Sequence, residues 1–204
     1  RNDAAACHPF FRRSNWMTRN LVLAGNFNMT NTPELFERLI EFGQHPAADT
    51  DTNVILEKFA HFLDCENDRL KQAYAEQGIG PREAMDRLPE DLDIARMLRG
   101  ATKHFDGGYV LAGLLGHGAA FVLRDPHGIR PAYYLDGEDL AAVASERPAL
   151  QSAFGVEESA VREIPPGHAL ILARDGSLSE ERIKEADASA RCSFERIYFS
   201  RGSD

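Results

Sequence analysis

Cysteine is scarce in this chain. Its 204 residues hold three, Cys7, Cys65 and Cys192. That odd number, spread over the whole length, excludes a disulfide framework and points to a reducing, cytoplasmic compartment. Long apolar runs are missing as well. The most apolar stretch, Tyr109 to Leu123, is interrupted by Gly113, Gly116, His117 and Gly118. It falls short of the roughly 20 apolar residues that a bilayer-spanning helix needs, so no membrane partner is expected. Basic charge is in deficit: 23 Lys+Arg stand against 32 Asp+Glu, a net charge of −9. No basic stripe emerges, and no nucleic-acid partner is expected. Neither a GxGxxG nor a P-loop occurs. No signal peptide opens the chain, and its first residue is Arg1, so the expectation is that something upstream was removed or not included.

What is present is ordinary globular material, 43% hydrophobic and 27% charged. It is long enough to bury a core without covalent staples. The chain divides by texture. Asn20 to Gly25 reads as a buried strand running into a tight polar turn, Asn26 to Asn31. Residues 32–104 read as helical. Asn31 or Thr32 caps a first helix with Pro33 early in it and a stripe of Leu35, Phe36, Leu39, Ile40 and Phe42, stopped by Gly43. A second helix starts near Thr50 to Thr52, with Val54, Ile55, Phe59, Phe62 and Leu63 inward. The stretch from Asp64 to Pro89 is very polar and is broken at Gly78 to Pro81. A further helix is expected over about 90–104.

Residues 108–182 read as β structure. Tyr109 to Leu115 and Ala119 to Leu123 form a hairpin around Gly116-His117-Gly118. Further strands are expected at Ala132 to Leu135, Leu140 to Ala144 and His168 to Ala173, with turns at Pro126-His127-Gly128, Pro165-Pro166-Gly167 and Asp175-Gly176. Helices in one block and strands in others give an α+β class.

Several segments carry candidate chemistry, each beside a plainer reading. Asn26, Asn28 and Asn31 at a strand end could present amide donors to an anion as an oxyanion hole, or could build a turn from Asx hydrogen bonds. Asp49 to Thr52 could hold a substrate ammonium through Asp51, or cap a helix. Arg124 to Pro131 is best read as a salt-bridged turn that fixes sheet geometry. His61 and Cys65 have the i, i+4 spacing of metal ligands, but no second pair completes a site, and no metal is expected here.

Taken together, these segments resemble one family. Asn20 to Asn31 is similar to the A-H-N-G-N-L-T-N region of class II glutamine amidotransferases, and Thr50 to Leu56 to their S-D-[ST]-E-x-[IL]-L. Arg124-Asp125-Pro126-His127-Gly128-Ile129-Arg130-Pro131 resembles R-D-P-x-G-x-R-P. Ala144-Ser145-Glu146 and Pro166-Gly167 resemble A-S-E and the P-G-E turn. Cys192-Ser193-Phe194-Glu195-Arg196-Ile197-Tyr198-Phe199-Ser200-Arg201 is similar to the C-x-F-E-x-I-Y-F-A-R segment of the amidophosphoribosyltransferase family. Members of that family make phosphoribosylamine from phosphoribosyl pyrophosphate and glutamine, opening purine biosynthesis.

The resemblance implies an N-terminal-nucleophile-type four-layer sandwich, two antiparallel sheets between helices, incomplete at its N-terminus. It implies a partial glutamine amidotransferase domain over residues 1–183. Residues 184–204 would then link to a phosphoribosyltransferase domain of the same full-length chain. Glutamine is the implied partner, with homo-oligomers expected at full length. The family's N-terminal Cys attacks the glutamine side-chain amide, with its own α-amine as base. The resemblance maps the oxyanion donors to the Asn26 side chain and the Phe27 N–H, where the family usually has Gly for Phe27. It maps the group that binds the substrate ammonium to Asp51. The Cys-Gly start, N-R-G-Q and G-H-x-R-Y of the family do not occur in this sequence, so the 204 residues alone are expected to be inactive. No cofactor is implied in this segment. Magnesium would accompany the phosphoribosyltransferase domain, and Cys192 could be one iron–sulfur ligand, a point the sequence leaves open. A non-catalytic homologue that binds an amino acid or a partner protein, and another class II amidotransferase, stand as alternatives.

Overall fold

A computed structural model describes residues 8–186. The Cys192 to Arg201 motif, Cys7 and most of the expected linker lie outside the described residues.

Strands β1 (Phe10–Arg12) and β2 (Leu21–Met29) lead into four helices: α1 (Thr32–Glu41), α2 (Asp51–Glu76), α3 (Pro81–Asp91) and α4 (Ile94–Thr102). Then come β3 (Gly107–Leu115), β4 (Ala120–Arg124), β5 (Tyr133–Asp136), β6 (Ala141–Ala144), α5 (Arg147–Phe154), β7 (Val161–Glu163), β8 (His168–Leu172) and β9 (Leu178–Arg182). The strands form two antiparallel sheets. One has the order β1-β2-β3-β4-β8-β9 and the other β6-β5-β7.

Strand alternation sorts the side chains of the large sheet. Leu21, Leu23, Tyr109, Leu111, Phe121, Leu123, Ala169 and Ile171 face the helices and join Phe59, Leu63, Leu88, Leu98 and Ala101 in the main core. On the opposite face, Val110, Val122 and Leu170 meet Ala132, Tyr134 and Ile164 of the small sheet. The outer face of the small sheet sends Leu135 and Val161 against Leu150 of α5. The stack is therefore helix, sheet, sheet, helix, as the resemblance implied. One close approach in the large sheet depends on glycine. Gly113 lies opposite Phe121, and a Cβ on it would stand 2.2 Å from the Phe121 ring, which stacks on Phe59 with centroids 5.8 Å apart.

Two sequence readings change. The polar segment after Gly25 is not a turn as far as Met29, because β2 runs on through it. Asn28 and Met29 pair with Gly108 and Gly107. Gly107 on the partner strand leaves room for the approach, since a Cβ there would stand 2.2 Å from the Asn28 carbonyl oxygen, and ladder hydrogen bonds outweigh the local Asx preference. The break read at Gly78 to Pro81 falls between α2 and α3, and the polar stretch before it is helical. α2 continues to Glu76 because Leu70 and Tyr74 remain buried along its inner face. Its polar residues are engaged: Asp64 receives Arg12 at 2.5 Å, Asn67 accepts from the Thr18 hydroxyl at 2.5 Å, and the Tyr74 hydroxyl donates to Asp91 at 2.7 Å. The helix expected from about residue 90 splits around Leu92, where Asp93 caps α4 by accepting from the Arg96 N–H at 2.8 Å. The short elements β1, α5, β7 and β9 carry too little periodicity to stand out in the sequence.

One core residue is a lysine. Lys58 on α2 is 1% exposed. Burial is the main cause that lowers its pKa from 10.5 to about 8, and Arg38 adds repulsion. The unfolded chain therefore binds more protons than the folded one between these values, so this group makes stability rise with pH across that window. Chemical denaturation at pH 8 and pH 10 is expected to show this increment in the wild type and not in Lys58→Met. In the same assay, Gly113→Ala is expected to cost about 1–3 kcal/mol through overpacking against Phe121.

Candidate functional site

The site implied by the motifs starts on β2. Phe27 lies opposite Tyr109, and the Tyr109 carbonyl accepts from the Asp125 N–H at 2.8 Å on the β4 side. Tyr109 therefore turns its backbone groups away from β2, and its partner Phe27 turns its own away from β3. The Phe27 N–H thus points along the sheet toward the side where β1 lies. Among the described residues β1 pairs only with Leu21 to Leu23, and no described strand residue lies opposite Phe27 on that side. The neighbouring N–H on the same side, that of Gly25, donates to His8 Nδ1 at 3.1 Å.

Alternation puts the two side chains on opposite faces. The Phe27 ring turns to the helical layer, with ring centroids 5.5 Å from His8 and 6.0 Å from Phe10. The Asn26 amide is exposed on the other face. The Phe27 ring therefore does not stand over the Asn26 amide. Among the described residues no hydrogen bond occupies the side chains of Asn26 or Asn28. Asn31, by contrast, is fully used: its Nδ2 donates to the His104 carbonyl at 2.9 Å and its Oδ1 accepts from the Asp106 N–H. Asn31 therefore ties the start of α1 to the segment after α4, and forms neither an Asx turn nor a side-chain helix cap.

Asp51 is the first residue of α2. Thr50 caps the helix, its hydroxyl accepting from the Asn53 N–H at 3.4 Å. Asp51 Oδ1 accepts from the Thr52 N–H at 3.1 Å. Its Oδ2 has no hydrogen-bond partner among the described residues. Both readings of the segment thus apply, to different residues: Thr50 caps, and Asp51 keeps a free carboxylate oxygen. The direction of α2 relates it to β2. Asn67 sits beside Thr18, and Asp64 and the Ala60 carbonyl sit beside Arg12, next to Leu21. From there α2 runs back about 14–20 Å to Asp51 at 1.5 Å per residue. β2 runs a similar distance, about 20 Å, from Leu21 to Phe27. Asp51 is thereby carried toward the Asn26 end of the sheet, although no hydrogen bond joins it to Asn26 or Phe27.

The Arg124 to Pro131 segment is a buried polar knot. Asp125 is fully buried. Its carboxylate accepts from the N–H groups of His127 (3.0 Å), Ile129 (3.1 Å), Arg130 (3.2 Å) and Tyr109 (3.4 Å). Arg124, 2% exposed, donates to the carbonyls of Arg130 (2.7 Å), Ile164 (2.6 Å) and Gly128 (3.2 Å) and to Glu163 Oε1 (2.7 Å). The turn is ion-paired as read from the sequence. The pair, however, is Arg124 with Glu163 of the other sheet, while Asp125 serves the turn's own backbone. Gly128 has φ +64°, and a Cβ there would meet Pro166 at 2.9 Å. The Gly167 N–H donates to the Asp125 carbonyl at 3.0 Å. The R-D-P-x-G and P-G segments thus hold each other.

His61 and Cys65 do meet on α2, 3.6 Å apart, but among the described residues no group of three or more potential ligands could hold a metal. Burial raises the Cys65 thiol, with Asp64 and Asp68 adding to it, and lowers His61, so Cys65 is no activated nucleophile. His8 is the neighbour of the site that sequence reasoning missed. A three-residue strand gives no periodic signal, and only the fold brings His8 to the edge of β2. No described helix is long and apolar enough to cross a membrane.

A helix–sheet–sheet–helix stack of two antiparallel sheets defines the N-terminal-nucleophile type of fold. Known proteins carry the assignment further. The chain is 28% identical to the amidophosphoribosyltransferase of Pseudomonas aeruginosa and 30% identical to that of Haemophilus influenzae, in each case over 98% of this chain and 36% of the relative. It also superposes on a glutamine phosphoribosylpyrophosphate amidotransferase from B. subtilis, solved with ADP and GMP, with a TM-score of 0.66. There the identity is 25%, over 98% of this chain and 37% of that one. No family model matches the chain. The chain is similar to amidophosphoribosyltransferases along nearly its whole length, as its motifs implied, and spans about a third of theirs.

Asp125→Ala would strand four N–H groups, each worth about 1–3 kcal/mol when buried without a partner. It is expected to destabilise the fold by at least about 3 kcal/mol in urea denaturation, whereas Asn26→Ala, on an exposed strand position, is expected to shift stability by less than about 0.5 kcal/mol.

Proposed function

We propose that this chain is the glutamine-handling part of an amidophosphoribosyltransferase-like enzyme of purine biosynthesis, whose role is to release ammonia from glutamine for phosphoribosylamine formation. The observation that carries the reading is the edge of β2. Phe27 turns its N–H away from β3, next to an exposed Asn26 amide, and neither has a hydrogen-bond partner among the described residues. Two such donors suit the oxyanion that develops when an amide carbonyl is attacked, and preorganised donors of this kind stabilise the transition state more than the ground state. Asp51, with one oxygen free at the same end of the fold, suits the α-ammonium of the substrate through a charge-assisted hydrogen bond. The position falls within the first turn of α2, a place that suits an acidic side chain because the helix dipole is positive there.

The nucleophile is the piece this sequence does not supply. Attack on the amide carbon needs a thiolate and a base for its proton. Cys65 lies on α2 with its thiol raised, and Cys7 is followed by His8-Pro9 rather than Gly. The 204-residue polypeptide is accordingly proposed to be inactive toward glutamine by itself; magnesium would accompany the phosphoribosyltransferase part, and Cys192 stays a candidate iron–sulfur ligand. Cytoplasmic location and assembly into homo-oligomers at full length belong to the same proposal. A non-catalytic homologue is the second reading, favoured by the Phe27 substitution.

The test is glutamine hydrolysis by two proteins. The 204-residue chain is expected to release no ammonia above background, and measurable turnover would contradict the proposal. A hybrid carrying the Cys-initiated N-terminal segment of the Pseudomonas aeruginosa relative is expected to hydrolyse glutamine. Asn26→Ala in the hybrid is expected to lower kcat by about 10²–10³-fold, the cost of one oxyanion donor. A hybrid that folds and stays inactive would favour the non-catalytic reading.

A further inference from the structure

Two metal-ligating side chains stand together on the outer side of α2. His61 and Cys65 are one helical turn apart, a spacing that brings their side chains into contact. His61 Nε2 and Cys65 Sγ lie 3.6 Å apart. Two ligands of one tetrahedral zinc ion, with bonds of about 2.3 Å to sulfur and about 2.0–2.1 Å to nitrogen, stand about 3.5–3.6 Å from each other. The chain therefore holds the pair at the edge length of a zinc tetrahedron. A thiol–imidazole hydrogen bond alone would gain little here, because S–H is a weak donor and Cys65 is exposed to competing water.

The imidazole is held in place as well. Phe42, the exposed residue that closes α1, stacks on it with ring centroids 4.8 Å apart and planes 3° from parallel. Phe62 meets it edge-on at 5.1 Å. Phe62 in turn lies against Gly100 of α4, where a Cβ would stand 2.3 Å from its ring. The two rings fix the plane of His61 and leave its Nε2 edge facing Cys65. A ligand oriented before the metal arrives loses less freedom on binding.

One chain supplies only half of a site. Among the described residues no group of three or more His, Cys, Asp or Glu side chains could hold a metal. The carboxylates next along α2 are engaged elsewhere: Asp64 receives Arg12 and Arg19, and Asp68 receives Arg19 and Lys71. A second copy of the chain, meeting the first about a twofold axis, presents the same residues. Two such pairs give two sulfurs and two imidazole nitrogens, a closed four-coordinate set of the kind that holds structural zinc. The exposed Phe42 ring beside His61 adds apolar surface for that contact to cover.

We propose that His61 and Cys65 of two copies bind one zinc ion between them, in a symmetric site that joins two chains through α2. Each thiol gives up its proton to solvent as its sulfur bonds the metal, and each imidazole ligates through a neutral Nε2. The site uses no residue of the β2 edge and does not rest on the glutamine reading.

Cobalt(II) binding to the metal-free 204-residue protein tests it, in reducing buffer so that no disulfide joins the chains. Cobalt is expected to saturate at one ion per two chains with the absorption bands of a tetrahedral thiolate complex, and the species that carries it is expected to sediment as two chains. Zinc is expected to displace the cobalt and bleach the bands. Excess magnesium is expected to leave them unchanged, because magnesium takes oxygen ligands. Cys65→Ser, an exposed change, is expected to abolish the thiolate bands. His61→Gln is expected to weaken binding by at least about tenfold, the least that a residue orienting a metal ligand is worth. Replacing Cys7 and Cys192 together by Ser is expected to leave the bands in place. Absence of thiolate bands in the wild type, saturation at one ion per chain, bands that survive Cys65→Ser, or bands lost with Cys7 and Cys192 would overturn the proposal.

Discussion

The fold depends on a buried knot of charge where the two sheets meet. Arg124 closes the end of β4 in the large sheet and reaches across to Glu163 and the Ile164 carbonyl in the small one. Asp125, the next residue, gathers the N–H groups of the following turn and of Tyr109. A buried ion pair is no automatic gain, since desolvation can cancel the attraction. Here the two residues satisfy a set of backbone groups that no regular ladder reaches. Removing either would leave several of them orphaned at once. The knot therefore specifies how the sheets lie on each other more than it adds to the driving force, which comes from the apolar layers on either side.

The same knot reaches the site through the sheet. Asp125 holds Tyr109 by two backbone interactions, and Tyr109 is the residue opposite Phe27. With Tyr109 committed to β4, the pattern of the antiparallel ladder leaves Phe27 no choice but to turn its N–H outward. The outward donor thus follows from the register, and any L-residue other than proline at position 27 would supply it. This explains how a phenylalanine can stand where relatives use glycine: the backbone group is retained, and the ring is absorbed by the core beside His8 and Phe10.

Much of this was legible in the sequence, for stated reasons. The helical block, the Gly116 to Gly118 hairpin and the strands around Tyr134 and Leu170 announce themselves through periodicity and turn residues. The Arg124 to Pro131 turn announces itself through its spacing of Arg, Asp, Pro and Gly. What the sequence hid depends on partners far along the chain. The extension of β2 through Asn26 to Met29 needs Gly107 opposite. The polar half of α2 needs Arg12, Thr18 and Asp91 to engage it. Lys58 reads as a surface residue in any window of sequence, and only the packing of α1, α2 and the segment after α4 shows it buried. His8 reaches the edge of β2 through a strand too short to leave a pattern.

The central claim is that the edge of β2 receives the carbonyl of an amide substrate. The most direct measurement is the amide spectrum of ¹⁵N-labelled protein during titration with glutamine. The Phe27 N–H is expected to shift progressively and to saturate, with the Asn26 side-chain amide moving in parallel, and both responses are expected to weaken in Asp51→Ala. A spectrum in which Phe27 and Asn26 stay fixed while other amides move would contradict the account.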